Sequence, residues 1–313
     1  MGALHDGHLA LIREAATQNH EVYVSIYVNP TQFGMNEDLA SYPRTFTADL
    51  EKLRKLSLEL QQDERLGQID SIFSPTTDVM YPTIPPTSEP DGAGSFINVT
   101  PLGTLLEGAA RPVFFRGVAT VCMKLFNLVQ PDNVYFGQKD IQQSMLIQRM
   151  VRDFHVNTKV HIVPTMRQRD GLAMSSRNIY LGKRRQAVAT VLINALKAAE
   201  GAYSAGKLQS RDLLNAALEI ASSVQEAQRR LAPSQRARFE VDYLSLVDPY
   251  TLSDLAVVNP EKGAILCGAL KMLPLEEPQP KEDTGLGGGK STIRLIDNIL
   301  LEQAKILENM HAV

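Results

Sequence analysis

The feature that most constrains the fold is an alternation of strand-like and helix-like segments through residue 177. Residues 21–30, EVYVSIYVNP, are β-branched and apolar on both faces, as a strand buried inside a parallel sheet is. Residues 46–60 then have apolar side chains at helical spacing, and strand-like segments return at 69–75, 132–140 and 159–165. This alternation predicts an α/β fold with a Rossmann-like doubly wound parallel sheet.

The texture of the sequence changes after residue 177. Residues 184–231 are rich in Ala, Leu, Gln and Arg and are strongly helical, and strand-like segments follow at 238–249 and 263–270. A final helix is predicted from about Asn298. Because 313 residues are enough for about two domains, we expect a first domain over 1–177 and a smaller α+β domain over 178–313.

The segment TGLGGGKST, residues 284–292, resembles a phosphate-binding P-loop but departs from its pattern. Thr284 stands where that motif needs glycine, and the preceding LEEPQPKED is polar and proline-rich instead of a buried strand. We therefore interpret residues 274–291 as a flexible insertion, since their composition is typical of disorder.

Composition and charge exclude several classes of function. The formal net charge is −3 and no long basic run occurs, so a nucleic-acid partner is not expected. No apolar run approaches the roughly 20 residues that span a bilayer, and nothing resembles a signal or transit peptide. Cys122 and Cys267 lie far apart in apolar surroundings and are interpreted as buried free thiols. A cytoplasmic location without membrane contact is expected.

The first eight residues, MGALHDGH, carry the clearest chemical signal. His5 and His8 are three residues apart, which places both imidazoles on one face of a helix at its first turn. The free N–H groups of that turn and the positive end of the helix dipole form an anion site. Two imidazoles beside such a site suit a triphosphate that must lose pyrophosphate. The alternative is a capped helix with solvated histidines.

Other polar residues follow predicted strands, where ligands bind in open α/β sheets. Gln32 follows the first strand, and Lys139 lies at a second turn from strand to helix, as a point charge suited to phosphate. The loop with Ser175, Ser176 and Arg177 offers hydroxyl, N–H and guanidinium donors for phosphate oxygens. A loop amide such as that of Gln32 is more often merely solvated, since position is the only argument for it, and a Ser-Ser-Arg run alone is a polar loop in most proteins.

Taken together, the motifs resemble those of the pantothenate synthetases (pantoate–β-alanine ligases), a family of the HxGH nucleotidyltransferase-like superfamily. Apart from insertions near 59–66 and 274–291, the resemblance covers nearly all of the chain. The motifs that carry it, in order, are MGALHDGH, VNPTQFG, EDLASYPRT, EGAARPVFFRGV, KLFNLVQPDNVYFGQKDIQQ, VPTMRQRDGLAMSSRN and RLIDN.

The resemblance implies a two-step ligation. ATP and pantoate give pantoyl adenylate and pyrophosphate, and β-alanine then attacks the acyl phosphate to give pantothenate and AMP. The first domain would bind ATP and pantoate, and the second would form part of a lid. Mg²⁺ is expected with ATP, with ligands that the sequence does not identify, and a homodimer is expected through the N-terminal domain.

The same resemblance assigns roles to individual residues. His8 matches the proton donor, while His5 and Lys139 would join it in stabilising charge on phosphate. Gln32 and Gln143 would hold pantoate, with Gln32 also near β-alanine. The ATP-binding residues would be Met1, Gly2, Ala3, Leu4, His5, Asp6, Gly7, His8, Gly137, Gln138, Lys139, Asp140, Met166 (through its backbone, to adenine) and the mobile loop of Met174, Ser175, Ser176 and Arg177.

Three departures from the family pattern matter. Gln138 stands where many relatives have Glu, and Phe114 stands where His is common. Family members also carry a helix and a buried strand ending in Pro-Thr before this Met-Gly. From that difference we expect a truncated or mispredicted start and a weakly active or inactive chain. Two alternatives to an active ligase stay open. The first is this inactive, truncated form. The second is another HxGH-type nucleotidyltransferase, although the pair Gln32 and Gln143 argues against it.

Overall fold

The computed structural model describes residues 2–35, 37–83, 89, 92–302 and 306. The chain divides into two compact units, Met1–Met166 and Arg167–Val313. The segment 167–177, which the sequence assigned to the first domain, is grouped with the second unit. In the described ranges, no helix is long and apolar enough to cross a membrane.

The first unit alternates helices and strands, as the sequence predicts. Its helix over 46–60 is confirmed at both ends, and a short helix lies in the predicted loop over 76–95. The helices are α1 (Asp6–Gln18), α2 (Phe46–Leu60), α3 (Thr77–Met80), α4 (Glu107–Ala110), α5 (Phe114–Val129) and α6 (Ile141–Asp153). The strands are β1 (Glu21–Ser25), β2 (Gln68–Phe73), β3 (Asn133–Gly137) and β4 (Lys159–Val163).

The four strands form two separate parallel pairs, β1 with β2 and β3 with β4. Among the described residues, no backbone ladder joins the two pairs. Side chains, instead of a backbone ladder, link β3 to the end of α1. Asn19 Nδ2 donates to Tyr135 Oη over 2.7 Å, and Asn133 Nδ2 donates to Asn19 Oδ1 over 2.7 Å.

One apolar cluster holds α1, β1 and α2 together. Leu9 and Ile12 on α1 are buried against Val24 of β1 and against Leu53 and Leu56 of α2. Because apolar burial is the main favourable term in folding, the buried face fixes the direction of α1. It thereby also fixes the position of the turn with His5 and His8 at the start of α1.

The second unit packs helices on a three-stranded antiparallel sheet ordered β5-β6-β7. Its helices are α7 (Gly182–Ala189), α8 (Val191–Ser204) and α9 (Ser210–Arg229), and its strands are β5 (Phe239–Val247), β6 (Ala264–Met272) and β7 (Ile293–Leu301). The final helix predicted from Asn298 is wrong as far as Leu301, because this stretch pairs with β6. Residues 303–305 and 307–313 lie outside the described residues.

Residues 274–291 contain no helix or strand, yet side chains of α7 bind them. Arg184 forms an ion pair with Glu282, and the buried guanidinium of Arg185 donates to the carbonyl of Ser291 over 2.8 Å. The prediction that this insertion is disordered is therefore corrected for Glu282 and Ser291, which these contacts hold in place. The resemblance to a P-loop is a sequence coincidence, since a strand, β7, follows residues 284–292 where a P-loop has a helix.

Candidate active site

The two histidines of MGALHDGH meet at the first turn of α1. His5 is the residue before the helix, and His8 is its third residue. Their ring centroids are 4.0 Å apart, and the backbone N–H of His5 points to His8 Nδ1 over 3.4 Å. Asp6, the first helical residue, is exposed, and Gly7 follows within the helix. The prediction that both imidazoles share one face is confirmed.

Burial keeps both imidazoles neutral near pH 7. It lowers the pKa of His5 to about 4, with positive charge on Lys139 and Lys52 adding to the effect. The pKa of His8 falls to about 2, again mainly through burial and then through repulsion from His5. A neutral imidazole carries one N–H donor and one acceptor nitrogen. His5 Nδ1 is buried without a hydrogen-bond partner among the described residues.

A clamp from α2 holds the backbone just before the histidines. Asp49 Oδ1 accepts the backbone N–H of Leu4 over 2.8 Å, and Lys52 Nζ donates to the carbonyl of Leu4. Asp49 is buried and also accepts the hydroxyl proton of Thr45 over 3.0 Å. Sequence reasoning missed Asp49 and Lys52. Their spacing of three residues puts them on one face of α2, but nothing local indicates that this face meets Leu4.

The glycine-containing start of the site is tightly placed. A Cβ at Gly2 would lie 3.1 Å from Val28 Cγ2, so the backbone runs close to the segment after β1. Ala3 has φ 48°, a left-handed conformation that is uncommon for a residue with a Cβ. Leu4 is buried. Met1, the first of the predicted nucleotide-binding residues, lies outside the described residues.

Lys139 lies at the carboxyl end of β3, in a single helical turn over Gln138–Asp140. Its Nζ is 3.4 Å from Asp140 Oδ1, and its positive charge contributes to the lowered pKa of both His5 and His8. The structure thus brings together His5, His8 and Lys139, which the sequence predicted in two separate motifs. Gln138 is buried. At Gly137 an added Cβ would have no neighbour within 4 Å, so the strand end faces open space.

Met166 lies at the same edge as this turn. Gly137 of β3 is paired in register with Val163 of β4, and the carboxyl ends of parallel strands meet at one edge of a sheet. Met166 follows β4 by three residues and is 42% exposed. Its backbone therefore follows the strand end that pairs with the end of β3.

Gln32 ends a helical turn that helix α5 holds in place. A Cβ at Gly117 of α5 would lie 2.4 Å from the carbonyl oxygen of Thr31, so only glycine allows this approach. Asn29 Nδ2 donates to the Gly117 carbonyl over 3.1 Å. Arg111 Nη2 donates to the Gln32 carbonyl over 3.3 Å. The turn that carries Gln32 is thus held by α5 and by Arg111.

Arg111 and Phe114 form part of the same support. The guanidinium of Arg111 forms an ion pair with Glu37 and lies 3.8 Å from the ring centroid of Phe114. Phe114 therefore holds Arg111 by a cation–π contact at the position where the resemblance leads us to expect His. The polar contact that the sequence placed in doubt is replaced by an aromatic one.

The two consecutive glutamines of α6 have different tasks. Gln142 is buried, accepts the backbone N–H of Glu107 over 3.1 Å and donates to the carbonyls of Leu102 and Leu105. The neighbouring Gln143 is half-buried, and its amide makes no hydrogen bond within the described part of the chain. Of the two glutamines, Gln143 is therefore the one whose amide can bind a ligand without losing a hydrogen bond among the described residues.

In the second unit, the predicted phosphate loop is a compact turn. Ser175 Oγ accepts the backbone N–H of Arg177 over 3.3 Å at the start of a helical turn over Ser176–Tyr180. Asn178 Nδ2 donates to the carbonyl of Ala173 over 2.9 Å. Met174, Ser175, Ser176 and Arg177 are all half-buried.

Comparison with known proteins agrees with this geometry. Residues 1–300 match the family model described as pantoate-beta-alanine ligase. A pantothenate synthetase from Chloroflexus aggregans is 40% identical over 301 residues, covering 96% of this chain and 91% of the relative. The pantothenate synthetase structure from Thermus thermophilus is 37% identical with a TM-score of 0.74, covering 96% of this chain and 90% of that one.

A third relative is a structure with ligands. Pantoate-beta-alanine ligase from Francisella tularensis, solved in complex with beta-gamma ATP and beta-alanine, is 30% identical with a TM-score of 0.65. It covers 96% of this chain and 87% of that chain. These matches favour the ligase over another HxGH-type nucleotidyltransferase. The structure has an α/β first unit with parallel strands and a small antiparallel sheet in the second, and the chain belongs to the pantoate–β-alanine ligase family.

Proposed function

We propose that this protein condenses pantoate with β-alanine at the expense of ATP, forming pantothenate, AMP and pyrophosphate through a pantoyl adenylate. The observation that carries the proposal is the placement of two neutral imidazoles, within reach of the Lys139 charge, at the N-terminus of α1. The family match supplies the identity of the acid and the amine.

In the first step a carboxylate oxygen of pantoate attacks the α-phosphorus of ATP and pyrophosphate leaves. Two anions must approach each other, so positioning and electrostatic stabilisation supply most of the catalysis. Lys139 offers positive charge, while His5 and His8 offer N–H donors that need no change of charge state. The N–H groups at the start of α1 add a favourable field for phosphate.

Lys52 is exposed and donates one of its three ammonium N–H groups to the Leu4 carbonyl. We assign it a supporting charge at the same turn. Gln32 and Gln143 would hold the hydroxyl and carboxylate groups of pantoate, since an amide both donates and accepts. In the second step, the amine of β-alanine attacks the acyl carbon and AMP leaves with the bridging oxygen.

Mg²⁺ would enter with ATP. The described residues contain no group of three acidic, histidine or cysteine side chains that could hold a metal ion. Such a cluster is not required, because Mg²⁺ at nucleotide sites usually binds the phosphates, water and one or two carboxylates. Asp140, beside Lys139 and 44% exposed in its side chain, fits that role. Bound Mg²⁺ would neutralise phosphate charge.

Ser175, Ser176 and Arg177 would supply further hydroxyl, N–H and guanidinium donors to phosphate oxygens. We also propose that the two parallel pairs are halves of one Rossmann-like, doubly wound arrangement, supported by the hydrogen bonds that join the end of α1 to β3. A homodimer and a cytoplasmic location remain predictions.

The test is AMP formation from ATP by the purified chain. We expect AMP only when pantoate and β-alanine are both present, and a loss of roughly 100-fold or more in kcat for His8→Ala. His20→Ala is the matched control, because the side chain of His20 is exposed. AMP formation that ignores either substrate, or that survives His8→Ala, would contradict the proposal.

A further inference from the structure

The loop before Ser175–Arg177 closes on itself as a tight clip, here defined as residues 167–173. Arg167 and Ala173 form an isolated antiparallel bridge. The backbone N–H of Gln168 donates to the Leu172 carbonyl over 2.8 Å, and that of Gly171 donates to the Gln168 carbonyl over 2.9 Å. Gly171 has φ 95°, which favours glycine. The clip is thus held together by its own backbone hydrogen bonds.

One buried carboxylate ties this clip to the sheet. Arg167 Nη1 and Nη2 donate to Asp297 Oδ2 and Oδ1 over 2.6 and 2.9 Å. Asp297 is 5% exposed and lies in the middle of β7, where it pairs with Gly268 of β6. Its Oδ1 also accepts the backbone N–H of Asn298 over 2.9 Å. A bidentate pair of this kind fixes both distance and orientation.

The geometry leaves Arg167 little capacity for a ligand. Both terminal nitrogens of its guanidinium are engaged by Asp297, and Nη1 also donates to the Gly171 carbonyl over 3.2 Å. The guanidinium of Arg167 is therefore engaged within the protein. Its contacts connect the clip to β7 instead of presenting a donor to phosphate.

The clip leads directly into the phosphate loop. Ala173 closes the clip by its bridge to Arg167, and its carbonyl accepts Asn178 Nδ2 over 2.9 Å. The backbone N–H of Asn178 donates in turn to the carbonyl of Ser175 over 3.0 Å. A displacement of Arg167 therefore reaches Ser175 through three hydrogen-bonded steps, from Arg167 to Ala173, from Ala173 to Asn178 and from Asn178 to Ser175.

We propose that Arg167 and Asp297 are a positioning pair that sets where Ser175, Ser176 and Arg177 stand for phosphate binding. The inference rests on the proposed function, because it takes the phosphates to be those of ATP. A displacement of about 1 Å can reduce turnover on the order of 100-fold, so a pair far from the reacting atoms can still control nucleotide use.

The test compares Asp297→Asn with Asp242→Asn. Asp242 lies on the same sheet and pairs with Arg294 of β7 over 2.8 Å and with Lys271 over 2.7 Å, and neither of these partners belongs to the clip. We expect Asp297→Asn to lower kcat/KM for ATP roughly 10- to 100-fold while the KM for β-alanine is unchanged. Asp242→Asn should leave both values within about twofold. Arg167→Lys, which keeps the charge but not the fork, should show the ATP defect in milder form.

Hydrogen exchange separates positioning from loss of folding. Asp297→Asn should speed exchange of the Gly171 and Asn178 amides, while the amides of β6 stay protected. An equal loss of kcat/KM for all substrates, an ATP defect as large in Asp242→Asn, or unchanged exchange in the clip would overturn the proposal. Absence of AMP formation by the unsubstituted chain would instead refute the proposed function, and the exchange experiment would still test the clip.

Discussion

At the scale of single residues, the spacing of His5 and His8 predicted that their rings share a face, and the 4.0 Å separation confirms it. The 3.6-residue period of a helix is a local property, so sequence alone is enough. The same reasoning could not find Asp49 or Lys52, which reach Leu4 across 45 and 48 residues of chain. Such contacts depend on how α2 packs, and no local pattern encodes them.

The histidine pair predicts a specific dependence of stability on pH. In the folded chain the pKa of His5 is about 4 and that of His8 about 2, below the ordinary value of 6.5. The unfolded chain therefore binds more protons below pH 6.5, and stability falls as pH falls from 6.5 towards the folded values. The loss at pH 5 should be up to about 2 kcal/mol per histidine.

Denaturant unfolding at pH 7 and pH 5 measures this loss. A His5→Gln, His8→Gln double variant should lose less stability between the two values than the unsubstituted chain. The control His20→Gln should behave like the unsubstituted chain, because its side chain is exposed. An equal pH dependence in all three proteins would show that the imidazoles are not buried as neutral groups.

Substitution of Lys139 should reduce turnover without affecting folding. Lys139→Gln removes a positive charge that acts on both histidines but keeps a hydrogen-bonding side chain, so kcat for AMP formation should fall roughly 100- to 1,000-fold. Its melting temperature should change little. Lys159→Gln, at an exposed position at the start of β4, is the matched control. Similar kinetics for the two variants would remove Lys139 from the catalytic groups.

At the scale of elements, the sequence predicted α2 well and β7 poorly. Residues 46–60 carry apolar side chains at helical spacing, which defines the helix without outside help. The run from Ile293 to Leu301 is apolar enough for either state, and its pairing with β6 decides in favour of a strand. Short apolar runs cannot be assigned by periodicity alone.

The contact between α2 and the histidine turn predicts a local dependence of stability. Asp49→Ala leaves the buried N–H of Leu4 without its acceptor, which costs about 1–3 kcal/mol. Glu51→Ala, on the exposed side of the same helix, loses only a distant pair with Lys55 at 3.8 Å and should cost less than about 1 kcal/mol. Chemical denaturation of both variants measures the difference, and equal costs would disprove the clamp.

At the scale of the whole molecule, the alternation of strands and helices correctly predicted an α/β first unit and a second unit of another texture. The sequence did not predict how many strands pair in each sheet, because hydrogen bonding between distant strands is set by the assembled core. The contacts of residues 274–291 were missed for the same reason. Their composition indicated disorder, while the donors that bind them lie on α7.

The account requires that pantoate be activated as an acyl adenylate, and oxygen transfer tests this most directly. With pantoate labelled with ¹⁸O in both carboxylate oxygens, the chain should release AMP that carries one ¹⁸O in its phosphate, because the bridging oxygen leaves with AMP. Mass spectrometry of the AMP after complete reaction measures it. Label in pyrophosphate or inorganic phosphate, or AMP without label, would contradict the mechanism.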